Sequence, residues 1–143
     1  MLHPAHVQRL IDYWQTLTPA RVADIATIYT EDAHFRDPFN DVVGLDAIRH
    51  IFADMFVRLH DPRFVVIETI ASESGVMLIW DFHFRIKSLQ PGKARRIHGA
   101  TLVRFAADGR VHDHRDYWDA AGELYEQLPV IGWLMRVLKR MAA

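Results

Sequence analysis

The sequence predicts an α+β domain in which helices lie on one face of a curved antiparallel sheet. Three observations carry that expectation. Apolar residues recur at helical spacing over the first sixty or so positions, the period changes to that of strands after Asp61-Pro62, and helices and strands stay segregated instead of alternating as in a parallel α/β unit. At 143 residues, half of them hydrophobic, the chain suits a single domain, 1–143, with a sizeable core.

Val7, Leu10, Ile11, Trp14 and Leu17 mark a first helix over 5–17. Thr18 as N-cap and Pro19 at the first helical position start a second, over 19–30, with Val22, Ile25, Ala26, Ile28 and Tyr29 as its buried stripe. These two helices should pack as an antiparallel pair. Residues 33–38 read as extended and irregular, 40–44 as a turn, and 46–60 as a third helix with Ile48, Ile51, Phe52, Met55, Phe56 and Leu59 on one side. Four β-branched and aromatic runs follow at 63–72, 75–87, 94–106 and 110–118. Ser-Glu-Ser-Gly, Gln-Pro-Gly-Lys and Ala-Asp-Gly separate them, which reads as a meander. The chain then returns to helix in a C-terminal extension, 120–143. There Ile131, Trp133, Leu134, Val137 and Leu138 stand beside Arg136, Lys139 and Arg140. That segment is read as a terminal helix covering a sheet edge, a pocket mouth or a dimer partner. An interfacial membrane helix has the same character, but so short a basic cluster anchors weakly, and membrane contact is not the leading expectation.

Composition excludes several functions. The net charge of −1, with Lys and Arg scattered outside the last dozen residues, leaves no electrostatic footprint for nucleic acid. Absence of cysteine removes disulfides, thiolate nucleophiles and Cys-based metal sites. The N-terminal stretch has neither a basic region nor an apolar core of the secretory kind, and no apolar run spans a bilayer, so a cytoplasmic location is expected.

Two stretches hold the polar residues that a buried core does not explain: Tyr29-Thr30-Glu31-Asp32-Ala33-His34-Phe35-Arg36-Asp37-Pro38, and Asp108 to Asp119 with its Asp-Gly turn. Ile28-Tyr29-Thr30-Glu31-Asp32-Ala33 followed by Asp37-Pro38-Phe39, Gly44 with Ala47-Ile48, Val103-Arg104-Phe105 with Asp108-Gly109-Arg110-Val111, and Tyr117-Trp118 together resemble the nuclear-transport-factor-2-like (NTF2-like) superfamily. The resemblance is to its ketosteroid-isomerase-like and SnoaL-like (polyketide-cyclase-like) branch, and it runs from about residue 7 to 119. It implies a cone in which three helices close the concave side of a strongly bent sheet around a deep apolar pocket, and homodimers through the sheet's outer face. One scaffold of this kind supports unrelated chemistries and members with none.

The resemblance also assigns candidate residues. Asp37, in its Asp-Pro dipeptide, matches the proton-shuttling carboxylate of the isomerases, although a turn-forming Asp before Pro is the ordinary alternative. Tyr13 matches the tyrosine that donates to the developing enolate, in a reaction described in general terms as an Asp base beside a tyrosine and a protonated aspartic acid; a Tyr beside Trp14 on an amphipathic helix is otherwise core. Thr101 stands where the protonated aspartic acid would be, and a hydroxyl is a weaker oxyanion donor. Alternation places His112, His114, Asp116 and Trp118 on one face of the last strand, with His114 and Asp116 close enough to act as an acid/base pair or, alternatively, to join an interface network. On 75–87, Trp80, Phe82 and Phe84 share one face and Asp81, His83 and Arg85 the other; either face can line the cavity.

No metal is expected, because the densest cluster, His112-Asp113-His114, alternates faces along one strand and no His-Glu-x-x-His helix occurs. Serine elbows, phosphate loops and dinucleotide fingerprints are missing, so no cofactor is expected. The functional expectation is a pocket for a small hydrophobic carbonyl compound with cofactor-free proton transfer. Asp37 is the base, Tyr13 and Thr101 the enolate donors, His114 with Asp116 the second pair, Trp118, Phe39, Phe56 and Trp80 the walls, and His83 a further ligand contact. The alternative is a non-catalytic binding or dimerisation module of the same fold.

Overall fold

The computed structural model describes residues 4–143. The first three, which open the N-terminal stretch read above for a leader, lie outside the described residues. Helix α1 (Pro4–Gln15) is followed by a 3-10 helix (Ala20–Thr27), strands β1 (Tyr29–Arg36) and β2 (Asp41–Val43), and helix α2 (Leu45–Arg58). Strands β3 (Leu59–Ala71), β4 (Val76–Ile86), β5 (Arg95–Phe105) and β6 (Val111–Tyr117) come next. A short helix α3 (Ala120–Glu123), a 3-10 turn (Tyr125–Gln127) and helix α4 (Ile131–Ala142) close the chain. The strands form one unclosed six-stranded sheet in the order β2-β1-β6-β5-β4-β3, with α1, α2 and the first 3-10 helix packed against it and α4 seated on the second 3-10 turn. The predicted α+β architecture therefore holds, C-terminal helix included.

Local chemistry corrects three details. The second helix is 3-10, because Val22, Ile25 and Ile28, all buried, recur every three residues and match a three-residue turn. Thr18 caps it as expected, its hydroxyl accepting from the Arg21 N–H at 3.2 Å. It packs on α2 and β1 and meets α1 chiefly between Tyr13 and Arg21, the Tyr13 hydroxyl donating to the Arg21 carbonyl at 2.9 Å, so the anticipated antiparallel helix pair does not form. Secondly, the stretch read as irregular extended chain and turn makes two paired strands. Polar outward residues such as Glu31, Asp32 and Arg36 obscured the inward set Tyr29, Ala33 and Phe35. Thirdly, the sheet is not wholly antiparallel, since β1 runs parallel to β6.

The curvature that makes a pocket comes from bulges. Register shifts fall between His60 and Arg63 and between Val66 and Glu68 on β3. On β6, Phe105 pairs with Val111 and Arg104 with Asp113, which leaves His112 as the extra residue. Strict alternation put His112 inward; the bulge exposes it and buries Val111 instead. Gly109, at φ +86°, supplies the left-handed corner of the Asp-Gly turn.

Candidate active site

The concave face of the sheet carries the aromatics of β4. Val76, Leu78, Trp80, Phe82 and Phe84 are buried, which answers the question left open for that strand. His83, on the opposite face, points away from the cavity and does not line it, because the pleat sends alternate side chains to opposite sides. Its neighbour Asp81 joins an outer-face network with His98 at 2.7 Å and Arg96 at 3.8 Å.

A cavity of about 860 Å³ opens between this face and α2. Trp80, Thr101, His114, Asp116, Trp118, Phe39 and Asp37 all border it, as anticipated. Phe56 does not: it packs on the core from α2, and Phe52, one turn earlier, takes the wall position. Tyr13 also lies outside the cavity. Its hydroxyl is committed to the Arg21 carbonyl, the Arg21 guanidinium lies 5.3 Å from its ring centroid, and burial pushes its pKa up to about 12. It cannot donate to a ligand in the pocket.

Asp37 borders the mouth, but its carboxylate is engaged. Oδ1 accepts from the Phe39 and Asn40 backbone N–H groups, both at 2.7 Å, and the Asn40 side-chain amide donates to both oxygens at 3.1 Å. This is the turn-forming arrangement, and it closes the β1–β2 connection.

The deep end of the cavity holds a continuous hydrogen-bonded chain. The Trp14 indole N–H donates to the Tyr29 hydroxyl oxygen at 3.2 Å, and that hydroxyl lies 2.9 Å from His114 Nδ1. His114 Nε2 lies 2.8 Å from Asp116 Oδ1. From the other side the Trp80 indole N–H donates to Thr101 Oγ1 at 2.8 Å, and Thr101 donates to the same Asp116 Oδ1 at 2.5 Å. One proton assignment satisfies every member: Tyr29 O–H donates to Nδ1, and Nε2–H donates to the carboxylate. Both arms then end on one oxygen. Among the described residues Asp116 Oδ2 has no hydrogen-bond partner, and the side chain keeps 17% of its exposure at the cavity wall. His114 is 4% exposed, its ring stacked on Phe35 at 4.2 Å and met edge-on by Trp14 at 5.5 Å. Burial holds the Tyr29 phenol well above its ordinary pKa, so it stays a proton donor.

Trp14 and Tyr29 were legible only as core positions. The available signal was their polar tips, since a buried indole N–H or phenol needs a partner. Gly99 on β5 lets this end of the cavity close: a Cβ there would come within 2.7 Å of the Trp80 ring and 2.9 Å of the Trp118 Cβ. Among the described residues no group of three His, Asp or Glu is placed to hold a metal.

With this geometry in view, the family can be stated. The SnoaL-like domain model matches residues 7–114, and the chain belongs to that family. No curated protein matches it. Among solved structures it is similar to a protein of ketosteroid isomerase-like fold from Catenulispora acidiphila, crystallised with trimethylamine. The two share 18% identity with a TM-score of 0.74 over 91% of this chain and 97% of that one. A proposed SnoaL-like polyketide cyclase from Shewanella denitrificans shares 21% identity with a TM-score of 0.69, over 87% and 100% of the two chains. An epoxide hydrolase of the LEH-like type from M. tuberculosis shares 15% with a TM-score of 0.67, over 94% and 90%. Identities this low carry the fold and not the chemistry.

Proposed function

We propose that the chain binds a small apolar carbonyl compound in this cavity and moves a proton on it without a cofactor, with Asp116 as the base. The supporting observation is the convergence of two hydrogen-bonded arms on Asp116 Oδ1, which leaves Oδ2 facing the apolar cavity. His114 and Thr101 are positioning residues that fix the carboxylate. Oδ2 removes a proton from the carbon beside the carbonyl and returns it at another atom, as isomerisation, aldol cyclisation or dehydration requires.

The same wiring narrows the substrate. Tyr29 and Thr101, the hydroxyls nearest Asp116 in the network, both spend their protons inside it, and Tyr13 is elsewhere. With no free hydroxyl beside Asp116 to meet an enolate, the site favours a carbon acid already activated by two carbonyls, because the resulting charge is delocalised within the substrate. Proton–deuterium exchange at carbon, followed by NMR in D2O, tests this with 2-acetylcyclohexanone against the mono-ketone 2-tetralone. The expected result is enzyme-dependent exchange of the first well above the second, lost by a hundredfold or so in Asp116→Asn while affinity for the probe stays within a few-fold. Exchange surviving in Asp116→Asn would assign the base elsewhere. Ligand binding with no exchange in the parent would favour the non-catalytic module, which the engaged carboxylate of Asp37 also suits.

A further inference from the structure

Helix α4 is mounted the wrong way round for a surface helix. Gly132 is buried against Glu126, where a Cβ would lie 2.5 Å from the carbonyl oxygen; Arg136 Nη1 donates to that same oxygen at 2.8 Å, and Lys139 Nζ reaches the Glu126 carboxylate at 3.5 Å. Positions 132, 136 and 139 form one helical face, and it is the face turned toward the chain's own body. The opposite face presents Ile131, Leu134, Leu138 and Met141 to solvent at 45 to 77% exposure, flanked by Trp133 at 62%. Amphipathic helices on globular domains do the reverse.

Charge distinguishes the possible occupants of this face. Residues 128–143 contain Arg136, Lys139 and Arg140 and no carboxylate side chain. Arg140 is exposed, forms no ion pair among the described residues, and lies two helical turns from Trp133 on the same flank. Glu126 engages Arg136 and Lys139 on the other face, so Arg140 is the cation beside the apolar stripe; a second copy of α4 offers it no carboxylate, whereas an anionic lipid surface accepts the stripe, the interfacial Trp and Arg140 at once. The cavity mouth lies next to the helix. Phe39 and Val57 border the cavity yet stay 55% and 68% exposed, and the Phe39 ring meets Tyr125, the residue before Glu126, at 6.3 Å.

We infer that α4 docks the chain on an anionic bilayer, with the cavity mouth beside the lipid. Resting on the pocket reading above, this names the substrate class as a lipid-dissolved molecule rather than a water-borne one. The sequence alone did not favour membrane contact; the orientation of α4 does. Flotation of the full chain with vesicles of phosphatidylcholine containing phosphatidylglycerol tests it. The parent should float, less so on pure phosphatidylcholine or at high salt. Arg140→Gln should weaken partition roughly fivefold. Leu134→Asp combined with Leu138→Asp should abolish flotation while leaving the melting temperature near the parent's, since that face is already exposed. Asp116→Asn should float like the parent, so loss of the catalytic reading and loss of this one are distinguishable. A parent that does not float overturns the inference. So does flotation that survives the double substitution, and so does a parent dimer that the same substitution splits into monomers without any vesicle binding.

Discussion

Tyr29 and Tyr13 show how position decides what one side chain can do. Both are buried phenols whose pKa burial raises, Tyr13 to about 12 and Tyr29 well above the ordinary 10.0. Only Tyr29 enters the network that ends on Asp116. Tyr29→Phe leaves a buried indole N–H and a buried imidazole nitrogen unpaired, so a loss of about 2 to 4 kcal/mol in urea unfolding is expected, together with weakened exchange activity. Tyr13→Phe removes one partly buried bond, costs about 1 kcal/mol and leaves activity intact. The pH dependence has a definite sign. A phenol whose folded pKa is raised contributes stability that is complete below the unfolded value of 10.0 and is lost as pH climbs through the folded one. Unfolding midpoints of the parent should therefore fall above pH 10, and Tyr13→Phe should flatten part of that fall between 10.0 and about 12. A parallel fall in parent and variant would show that the Tyr13 ionisation is not coupled to folding.

At the level of elements, β5 and β6 bring the site together. Thr101 faces Asp116 across the pair, and Val103 faces His114. The bulge at His112 sets which β6 side chains turn inward, so a turn that fixes Gly109 at φ +86° determines the register ten ångströms or so away along the strand. Gly99 is the second control, because Trp80 lies on its Cα and is held there by Thr101. Gly99→Ala pushes the indole off that hydroxyl. It should cost about 1 to 3 kcal/mol by overpacking and impair Asp116 function through Thr101, as chemical denaturation and the exchange assay would record. An unchanged stability would mean that the Trp80 ring yields more easily than its hydrogen bond implies.

Over the whole molecule, the core and the terminal helix are separate pieces. The buried apolar set runs from Leu10 to Val111, and in α4 Gly132 is buried while Met135 and Val137 are half-buried. A chain ending at Pro129 should lose only α4's own share of the helical circular dichroism and melt within a few degrees of the parent, because little apolar area is withdrawn from the core. A large drop in melting temperature would make α4 part of the folding unit. Among the described residues no helix is long and apolar enough to cross a membrane, and α4, at 12 residues, is too short to span one.

Sequence patterning alone predicted the helical segments, the four later strands, the family resemblance and Phe39, Trp80 and Trp118 of the pocket wall, but not strands β1 and β2. Helical period, strand period and the Asp-Gly and Asp-Pro turns are local properties that one chain displays openly. It also singled out His114, Asp116 and Thr101, since polar residues alternating inward on a strand need a reason. Tertiary structure alone decided which carboxylate is free. Asp37 and Asp116 look alike in sequence, yet one is saturated by backbone donors two and three residues away and the other keeps an open oxygen. The same holds for Trp14 and Tyr29, whose polar tips act only because α1 and β1 bring them to a histidine 85 positions from Tyr29 in the chain. The outward turn of α4 was likewise beyond reach, since amphipathic period tells which residues share a face and not which way the face points.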